Sequence, residues 1–156
     1  MGTPIEWNDG STGGANELGL NSLASEEYSV GEKVDLGASF EPGVYAWRLK
    51  VEFDSAVVAG ESIQVYAAAA RDGHENEIDG GFTADGTEEG ETDRDRLNNL
   101  KHIGNLYADG ETGNDFTGSG QFTWWERYFA PVVLNQTDDP LHSSGHAFEI
   151  EELIKV

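Results

Sequence analysis

The chain has 156 residues, 30 acidic against nine basic side chains, a formal net charge of −21 and no cysteine. This length suits one domain with a core of its own. The lack of cysteine excludes disulfides, thiolate zinc sites and cysteine nucleophiles, and a polyanion without a basic cluster is unsuited to nucleic acid or an anionic membrane.

The start of the chain, MGTPIEWNDGSTGG, lacks the basic residues and apolar stretch of a secretory signal. The sequence also lacks a run of about 18 apolar residues that would suggest a membrane span. We therefore expect synthesis in a cytoplasm, and stability that comes from packing or from assembly.

Residues 1–27 are rich in Gly, Asn, Ser and Glu and contain few large apolar groups. This composition predicts an extended N-terminal arm that packs poorly by itself and becomes ordered against a partner, with a disordered tail as the alternative. Trp7, Leu18 and Leu20 are the side chains suited to dock on such a partner. Residues 28–156 are predicted to form the single folded domain.

Alternation of apolar and polar residues predicts strands in the next part of the chain. It is clear in EKVDLGASF and in ESIQVYAAAA, where the turn signal at Asp72-Gly73 favours a strand over a helix for the alanine run. In VYAWRLKVEF the alternation is blurred around Trp47, which is consistent with a bulge there.

Residues 72–99 form a polar block with ten acids and three large apolar side chains, Ile78, Phe82 and Leu97. We predict a long acidic loop, and loops of this length are usually functional or mobile. Calcium prefers carboxylate oxygens as ligands. Because the EF-hand pattern is absent and arginines interleave, a solvated loop without metal is the favoured interpretation. The candidate ligands are Asp85, Glu88, Glu89, Glu91, Asp93 and Asp95.

Strand patterns return after residue 99 in LNNLKHIGNLYAD, QFTWW, RYFAPVVLN and HAFEIEELIKV. Pro131 has no N–H to donate, so it is predicted to lie at a sheet edge or a bulge. The seven or eight strands with turns between them predict an all-β fold, an antiparallel β-sandwich of jelly-roll type.

His142 and His146 have the spacing of two zinc ligands on one helix face. The intervening Ser-Ser-Gly argues against a helix, and we expect turn and strand-surface histidines instead. Ser143 and Ser144 stand beside them, but closeness along the chain does not define a catalytic triad. A Gly-x-Ser-x-Gly elbow is absent, and we expect no catalytic residues, no cofactor and no enzymatic activity.

Trp124 and Trp125 are adjacent, so on a strand their side chains point to opposite faces. One would then be a core residue, and the other would be exposed to stack on a sugar ring or contact a neighbouring subunit. Two structural tryptophans are the alternative. An exposed tryptophan predicts a carbohydrate-binding β-sandwich module.

Five segments, in their order along the chain, resemble a family of tailed-bacteriophage virion proteins. The family pattern is an amphipathic strand with a small-residue turn, a strand ending in Asp-Gly, a short Ile-Gly strand, an Arg-Tyr strand and a closing Phe-containing strand. The matching segments cover about half of the chain and are Leu49–Gly60, Ile63–Gly73, Ile103–Leu106, Arg127–Asn135 and Gly145–Leu153.

This resemblance is to jelly-roll capsid decoration (cement) proteins and related head-associated proteins. It implies a protein that binds the outside of a phage head and stabilises the shell, with the major capsid protein as partner and a homotrimer as the assembly. The expected location is the virion exterior, after synthesis in the host cytoplasm. The expected capsid or subunit contacts are Trp7, Leu18, Leu20, Trp124 and Trp125. Capsid decoration is the leading hypothesis, and carbohydrate binding is the alternative.

Overall fold

The structure is a computed structural model that describes residues 2–9, 16–70, 77–78, 81–84, 89–108 and 115–156. No helix among these residues has the length and apolar character needed to cross a membrane. The elements in chain order are β1 (Ile5–Asn8), β2 (Asn16–Glu17), β3 (Tyr28–Val30), β4 (Val34–Asp35), β5 (Gly43–Glu52), β6 (Ser62–Ala70), β7 (Glu77–Ile78), β8 (Phe82–Thr83), the 3-10 helix η1 (Arg94–Asn99), β9 (Lys101–Tyr107), β10 (Asp115–Trp124), β11 (Tyr128–Gln136) and β12 (Ala147–Lys155).

The long strands form two sheets with a shared core between them. Sheet A has the order β10-β5-β12-β1-β2, and sheet B has the order β3-β11-β6-β9, with β4 also pairing with β11. The long strands pair antiparallel. The chain changes sheets between β5 and β6, between β9 and β10, and at both ends of β11. The predicted all-β, antiparallel sandwich of jelly-roll type is therefore confirmed.

The core between the sheets follows from alternation along the strands. On β5, every second residue from Tyr45 to Val51 is buried, and the residues between them are half-buried or exposed. From sheet B, Ile63, Val65 and Phe129 join the same cluster. Burial of each large apolar side chain stabilises the fold by about 1.5–3 kcal/mol.

The N-terminal segment belongs to the sandwich, so the prediction of a poorly packed arm over residues 1–27 is wrong for its described part. Strand β1 pairs with β12 and places Trp7 opposite Phe148. Trp7 is fully buried, and its ring contacts Phe148 and Phe129 at centroid distances of 5.5 and 5.6 Å. Its Nε1 donates to the carbonyl oxygen of Glu32 at 2.8 Å, which satisfies the buried polar atom.

Leu18 and Leu20 are buried in the same cluster as Trp7. Two contacts hold this stretch against β1 and the residue that follows it. The N–H of Leu18 donates to the carbonyl oxygen of Asn8 at 3.0 Å, and the N–H of Leu20 donates to the carboxylate of Asp9 at 2.7 Å. The three side chains predicted to dock on a partner are therefore occupied within the folded domain.

The described part of segment 72–99 packs on the outer face of sheet B. Its three large apolar side chains, Ile78, Phe82 and Leu97, are buried in a second cluster with outward-facing residues of β6 and β11. Strand β11 is consequently buried on both faces from Phe129 to Asn135, which explains its nearly continuous apolar sequence. The acidic loop is thus anchored by its few apolar residues.

Pro131 lies in an interior strand that pairs with β6 without a register shift, so neither the predicted edge nor the predicted bulge is found. On the other side of Pro131, the neighbouring strand is interrupted. The N–H of Gly31 donates to the carbonyl oxygen of Pro131 at 2.8 Å. Since the nitrogen and the carbonyl of a strand residue face the same neighbour, the proline nitrogen faces the gap between β3 and β4. A Cβ at Gly31 would lie 2.6 Å from Cγ of Pro131, so this approach requires glycine.

An ion pair joins the turn before β11 to β4. Arg127 donates to the Asp35 carboxylate through Nε at 2.7 Å and Nη2 at 2.5 Å, and these hydrogen bonds lower the pKa of Asp35 to about 2. Because this value lies below the ordinary 3.8, the pair stabilises the fold above about pH 4, and the stabilisation is lost as the pH falls through about 2.

Titration of the Asp35 carboxyl carbon by NMR is expected to give a pKa of about 2 in the wild type and a value near 3.8 in Arg127→Ala. Glu126→Gln, a charge change in the same turn, is the matched control and should leave the pKa of Asp35 low. Equal pKa values in the wild type and Arg127→Ala would contradict the pairing.

Candidate functional site

A cleft of 400 Å³ opens on the outer face of sheet B beside η1. We call it the sheet B cleft. Its lining combines an apolar part, formed by leucines and the ring of a tyrosine, with four polar side chains. The lining residues are Gln64, Tyr66, Arg94, Leu97, Asn98, Leu100, Leu134 and Gln136.

Local structure explains how these residues meet. On β6, Gln64 and Tyr66 point outward because they alternate with residues of the inter-sheet core. Helix η1 begins after Asp93, whose carboxylate accepts from the N–H of Asp95 at 3.2 Å. In a 3-10 helix, side chains three residues apart lie on the same side, so η1 presents Arg94 and Leu97 together, and Asn98 lines the cleft next to Leu97.

A row of side chains extends the cleft along β9. A register shift between β6 and β9 places His102 opposite Tyr66, and their rings lie 5.3 Å apart at 70°. Nε2 of His102 lies 2.8 Å from Oδ1 of Asn105, and Nδ2 of Asn105 donates to the hydroxyl of Tyr107 at 2.8 Å. Tyr107 is 62% exposed, so this row ends in an accessible ring.

Arg94 sets the direction of the hydrogen bonds across the cleft, because a guanidinium has only donors. With its carbonyl oxygen toward Arg94, Gln136 accepts from Nη1 at 2.7 Å and from Nη2 at 2.9 Å, and its amide nitrogen then lies 2.7 Å from the Gln64 amide. In the opposite orientation of the Gln136 amide, Gln64 donates to its oxygen at 2.7 Å. The Gln136 nitrogen then faces the Arg94 guanidinium, and two hydrogen-bond donors meet without an acceptor between them. The first orientation is favoured because it avoids this conflict.

The row of polar groups continues to Tyr66, whose hydroxyl lies 2.6 Å from the side-chain amide of Gln64. Arg94, Gln136, Gln64 and Tyr66 are thus connected across the cleft. Burial raises the pKa of Tyr66, although Arg94 opposes the shift, so this hydroxyl remains protonated at neutral pH.

A second depression, of 290 Å³, lies on the outer face of sheet A. Two of its polar side chains, Arg48 and Glu149, already pair with each other at 3.2 Å. Its aromatic residue, Trp47, is 2% exposed and belongs to the core. The sheet B cleft is the stronger candidate, because it combines an accessible ring with several neutral amides.

Of the two adjacent tryptophans, one is buried and the other is exposed, as one interpretation of the sequence predicted. Trp124 is 4% exposed and packs against Phe129 at a ring distance of 5.4 Å, whereas Trp125 is 59% exposed in the turn before β11. Strand β11 runs from Tyr128, near Trp125, to Gln136 in the sheet B cleft, which is about 26 Å at about 3.3 Å per residue. Trp125 and the cleft are therefore separate surfaces.

The histidine pair has a structural role in the turn before β12. Nε2 of His146 lies 2.8 Å from the carbonyl oxygen of His142, and Nδ1 of His146 accepts from the N–H of Glu52 at 3.2 Å. Both ring nitrogens are thus engaged, and His146 is buried, which corrects its prediction as a surface residue. His142 lies at the surface, 3.4 Å from Asp54.

The predicted calcium ligands are dispersed where the structure describes them. Asp85 and Glu88 lie outside the described residues. Asp93 caps η1, and Glu91 pairs with Arg96 at 3.8 Å. Within the described part of the chain, no three acidic, histidine or cysteine side chains are placed to hold a metal ion, and this applies to the remaining candidates, Glu89 and Asp95.

The sequence pattern does not mark the residues of the sheet B cleft as site residues. Gln64 and Tyr66 occupy outward positions of a predicted strand, which is where ordinary solvent-facing residues also occur. Three large apolar side chains in the acidic loop were a usable signal that it packs against a sheet face. The partner residues from η1 and β11 become neighbours only through the fold.

Neither a protein-family model nor a curated protein matches the chain. Among solved structures, it is similar to a carbohydrate-binding module, CBM35 from Cellvibrio japonicus Abf62, at a TM-score of 0.48 and 6% identity over 99% of this chain and 97% of that chain. It is also similar to the sugar-binding EclA C-terminal domain, with a TM-score of 0.38 and 16% identity over 99% of this chain and 79% of that chain. A third similar structure is murine APRIL at pH 5.0, with a TM-score of 0.38 and 11% identity over 85% of this chain and 79% of that chain. With TM-scores below 0.5, these likenesses do not establish a function.

Proposed function

We propose that the protein is a carbohydrate-binding β-sandwich module that holds its glycan in the sheet B cleft and catalyses no reaction. The observation that carries the proposal is the combination of the Tyr66 ring with the neutral amides of Gln64, Asn98 and Gln136. Tyrosine supplies a rigid amphipathic surface, and amides both donate and accept hydrogen bonds. Sugars offer matching apolar ring faces and hydroxyl groups. The volume of 400 Å³ lies in the range of small-molecule sites.

Charge restricts the class of glycan. Arg94 is the cation of the cleft lining, and it forms an ion pair with Glu26. The chain as a whole carries a net charge of −21, which repels polyanions over a distance of about 10 Å at 0.1 M salt. The ligand that fits is a neutral or weakly charged glycan.

The capsid decoration role stays a prediction. Four of its expected contact residues, Trp7, Leu18, Leu20 and Trp124, are buried, and Trp125 is exposed. A role on a virion and glycan binding are compatible, because a glycan-binding domain can belong to a virion or to another protein.

Retention on a glycan array and on immobilised polysaccharides tests the proposal. The wild type is expected to bind at least one neutral glycan. Tyr66→Ala is expected to weaken that binding about fivefold, since a stacked ring contributes on the order of 1 kcal/mol and 1.4 kcal/mol is tenfold. Asn98→Ala, a change at an exposed residue of η1, is a second variant that carries little risk to the fold.

Trp125→Ala is the matched control, because it removes an exposed aromatic ring remote from the cleft. It should leave retention and melting temperature unchanged. Binding lost in Trp125→Ala but kept in Tyr66→Ala would assign the glycan to the turn instead. A wild type that no glycan retains would overturn the proposed function.

A further inference from the structure

We propose that the sugar site extends from the sheet B cleft along strands β6 and β9 and binds a linear oligosaccharide of at least three units. This inference rests on the proposed function and names the length of its ligand. Three observations lead to it: the order of the outward side chains on the two strands, the length of the row that they form, and the exposure of its far end.

The outward side chains of β6 and β9 stand in pairs on one face. Three residues of β6 face outward because they alternate with residues of the inter-sheet core. Each is paired with a residue of β9, and directly opposite residues of antiparallel strands share a face. The pairs are Ser62 with Tyr107, Gln64 with Asn105, and Tyr66 with His102.

These six side chains form a row that suits an uncharged sugar chain. Every one of them is an aromatic ring or a hydrogen-bonding group, and none is acidic, in a chain with 30 acidic residues. The rings of Tyr66 and His102 lie 5.3 Å apart, and Asn105 contacts both His102 and Tyr107 at 2.8 Å. Because the side chains hold one another, less of their freedom is lost when a ligand binds.

The row is longer than one sugar ring. From Ser62 to Tyr66, strand β6 advances about 13 Å at about 3.3 Å per residue. Aromatic rings in contact lie about 4.5–7 Å apart, and a sugar ring is similar in size to an aromatic ring. The row therefore covers about two ring spacings, which three rings in line would fill. A single sugar would occupy one end of it.

The two ends of the row offer aromatic platforms. At one end, Tyr66 lies half-buried in the sheet B cleft. At the other end, the ring of Tyr107 is 62% exposed. The amides of Gln64 and Asn105 lie between them and both donate and accept hydrogen bonds. We expect the first sugar to bind in the cleft at Tyr66 and the last to stack on Tyr107.

Calorimetry on the full chain with a length series tests the inference. The series is the mono-, di-, tri- and tetrasaccharide of the glycan that the array selects. Affinity is expected to rise about tenfold or more from the monosaccharide to the trisaccharide. Tyr107→Ala should weaken the trisaccharide about fivefold and leave the monosaccharide unchanged. Where the monosaccharide binds too weakly to measure, the disaccharide takes its place.

Trp125→Ala is the matched control, because its ring is exposed to nearly the same extent, 59% against 62% for Tyr107. It should preserve every affinity in the series. Should Tyr107→Ala lower the melting temperature, Tyr107→Thr replaces it with a residue that favours strands, and the same loss is expected.

Each other outcome has a defined meaning. Equal affinity along the series overturns this inference and leaves the proposed function standing. The same holds if Tyr107→Ala weakens short and long sugars alike or changes neither, and if the array retains only glycans that offer a terminal mono- or disaccharide. If the wild type binds no glycan at all, the proposed function falls together with the inference.

Discussion

Trp7→Ala is expected to lower the free energy of unfolding by about 3–5 kcal/mol, the usual cost of truncating a large aromatic side chain in a core. Trp7 is fully buried between Phe129 and Phe148. Its removal also leaves the carbonyl oxygen of Glu32 without the indole donor. Since the free energy of unfolding of a domain is about 5–15 kcal/mol in total, this single substitution removes a large share of it.

Chemical denaturation followed by tryptophan fluorescence measures the effect. Trp125→Ala is the control, because that side chain is 59% exposed, and it should change stability by less than about 0.5 kcal/mol. Deletion of residues 1–27 removes Trp7, Leu18 and Leu20 together and is expected to unfold the domain. A truncated chain that melts cooperatively at the wild-type temperature would restore the interpretation of this segment as an arm.

Gly104→Ala is expected to destabilise the protein by about 3 kcal/mol, at the upper end of the usual cost of overpacking a core. A Cβ at Gly104 would lie 2.2 Å from Cζ2 of Trp47, far inside the ordinary contact distance of about 3.5–4.0 Å. The indole has little freedom to move, because it is buried and its Nε1 donates to the carbonyl oxygen of Ile103 at 3.1 Å.

A double-mutant cycle with Trp47→Leu isolates the clash. Trp47→Leu alone leaves a cavity, and adding Gly104→Ala to it should then cost far less than in the wild type, a coupling of about 1–3 kcal/mol. Ser119→Ala, at an exposed position of β10, is the control and should be nearly neutral. Additive effects would show that Gly104 is not required by Trp47.

The same glycine bears on the bulge that the sequence predicts near Trp47. Trp47 blurs the alternation of β5, which suggested a bulge there. Yet β5 pairs with β10 without a register shift, and in its pairing with β12 the shift lies on β12, between Glu152 and Ile154. The large indole fits on the inner face because Gly104 and Gly120 leave room for it on neighbouring strands. A local sequence pattern cannot predict the room that glycines far along the chain provide.

Strands with strict alternation were predictable, and the N-terminal strand was not. The alternation in ESIQVYAAAA predicts a strand with nearly the bounds observed for β6, Ser62–Ala70. Around Trp7, by contrast, one aromatic residue stands among Gly, Asn and Glu, and its burial depends on β12 at the other end of the chain. Composition averaged over such a segment conceals a single well-placed core residue.

The candidate site was the least predictable feature. Its parts come from β6, η1 and β11, which the fold brings together. Polar residues such as Gln64 and Gln136 on outward positions have the same sequence signature as solvent-facing residues elsewhere. Exposed tryptophans were the obvious signal for a sugar site, but one of the two is buried and the other lies outside the cleft.

The most direct test of the account is to locate the bound glycan. The glycan that the array selects is titrated into isotope-labelled protein, and amide and side-chain shifts are followed by NMR. We expect the largest changes at Tyr66, Asn98, His102 and Gln136, on the sheet B cleft and its extension along β9. Changes confined to the turn at Trp125, or to the outer face of sheet A around Arg48, would contradict the assignment of this cleft as the binding site.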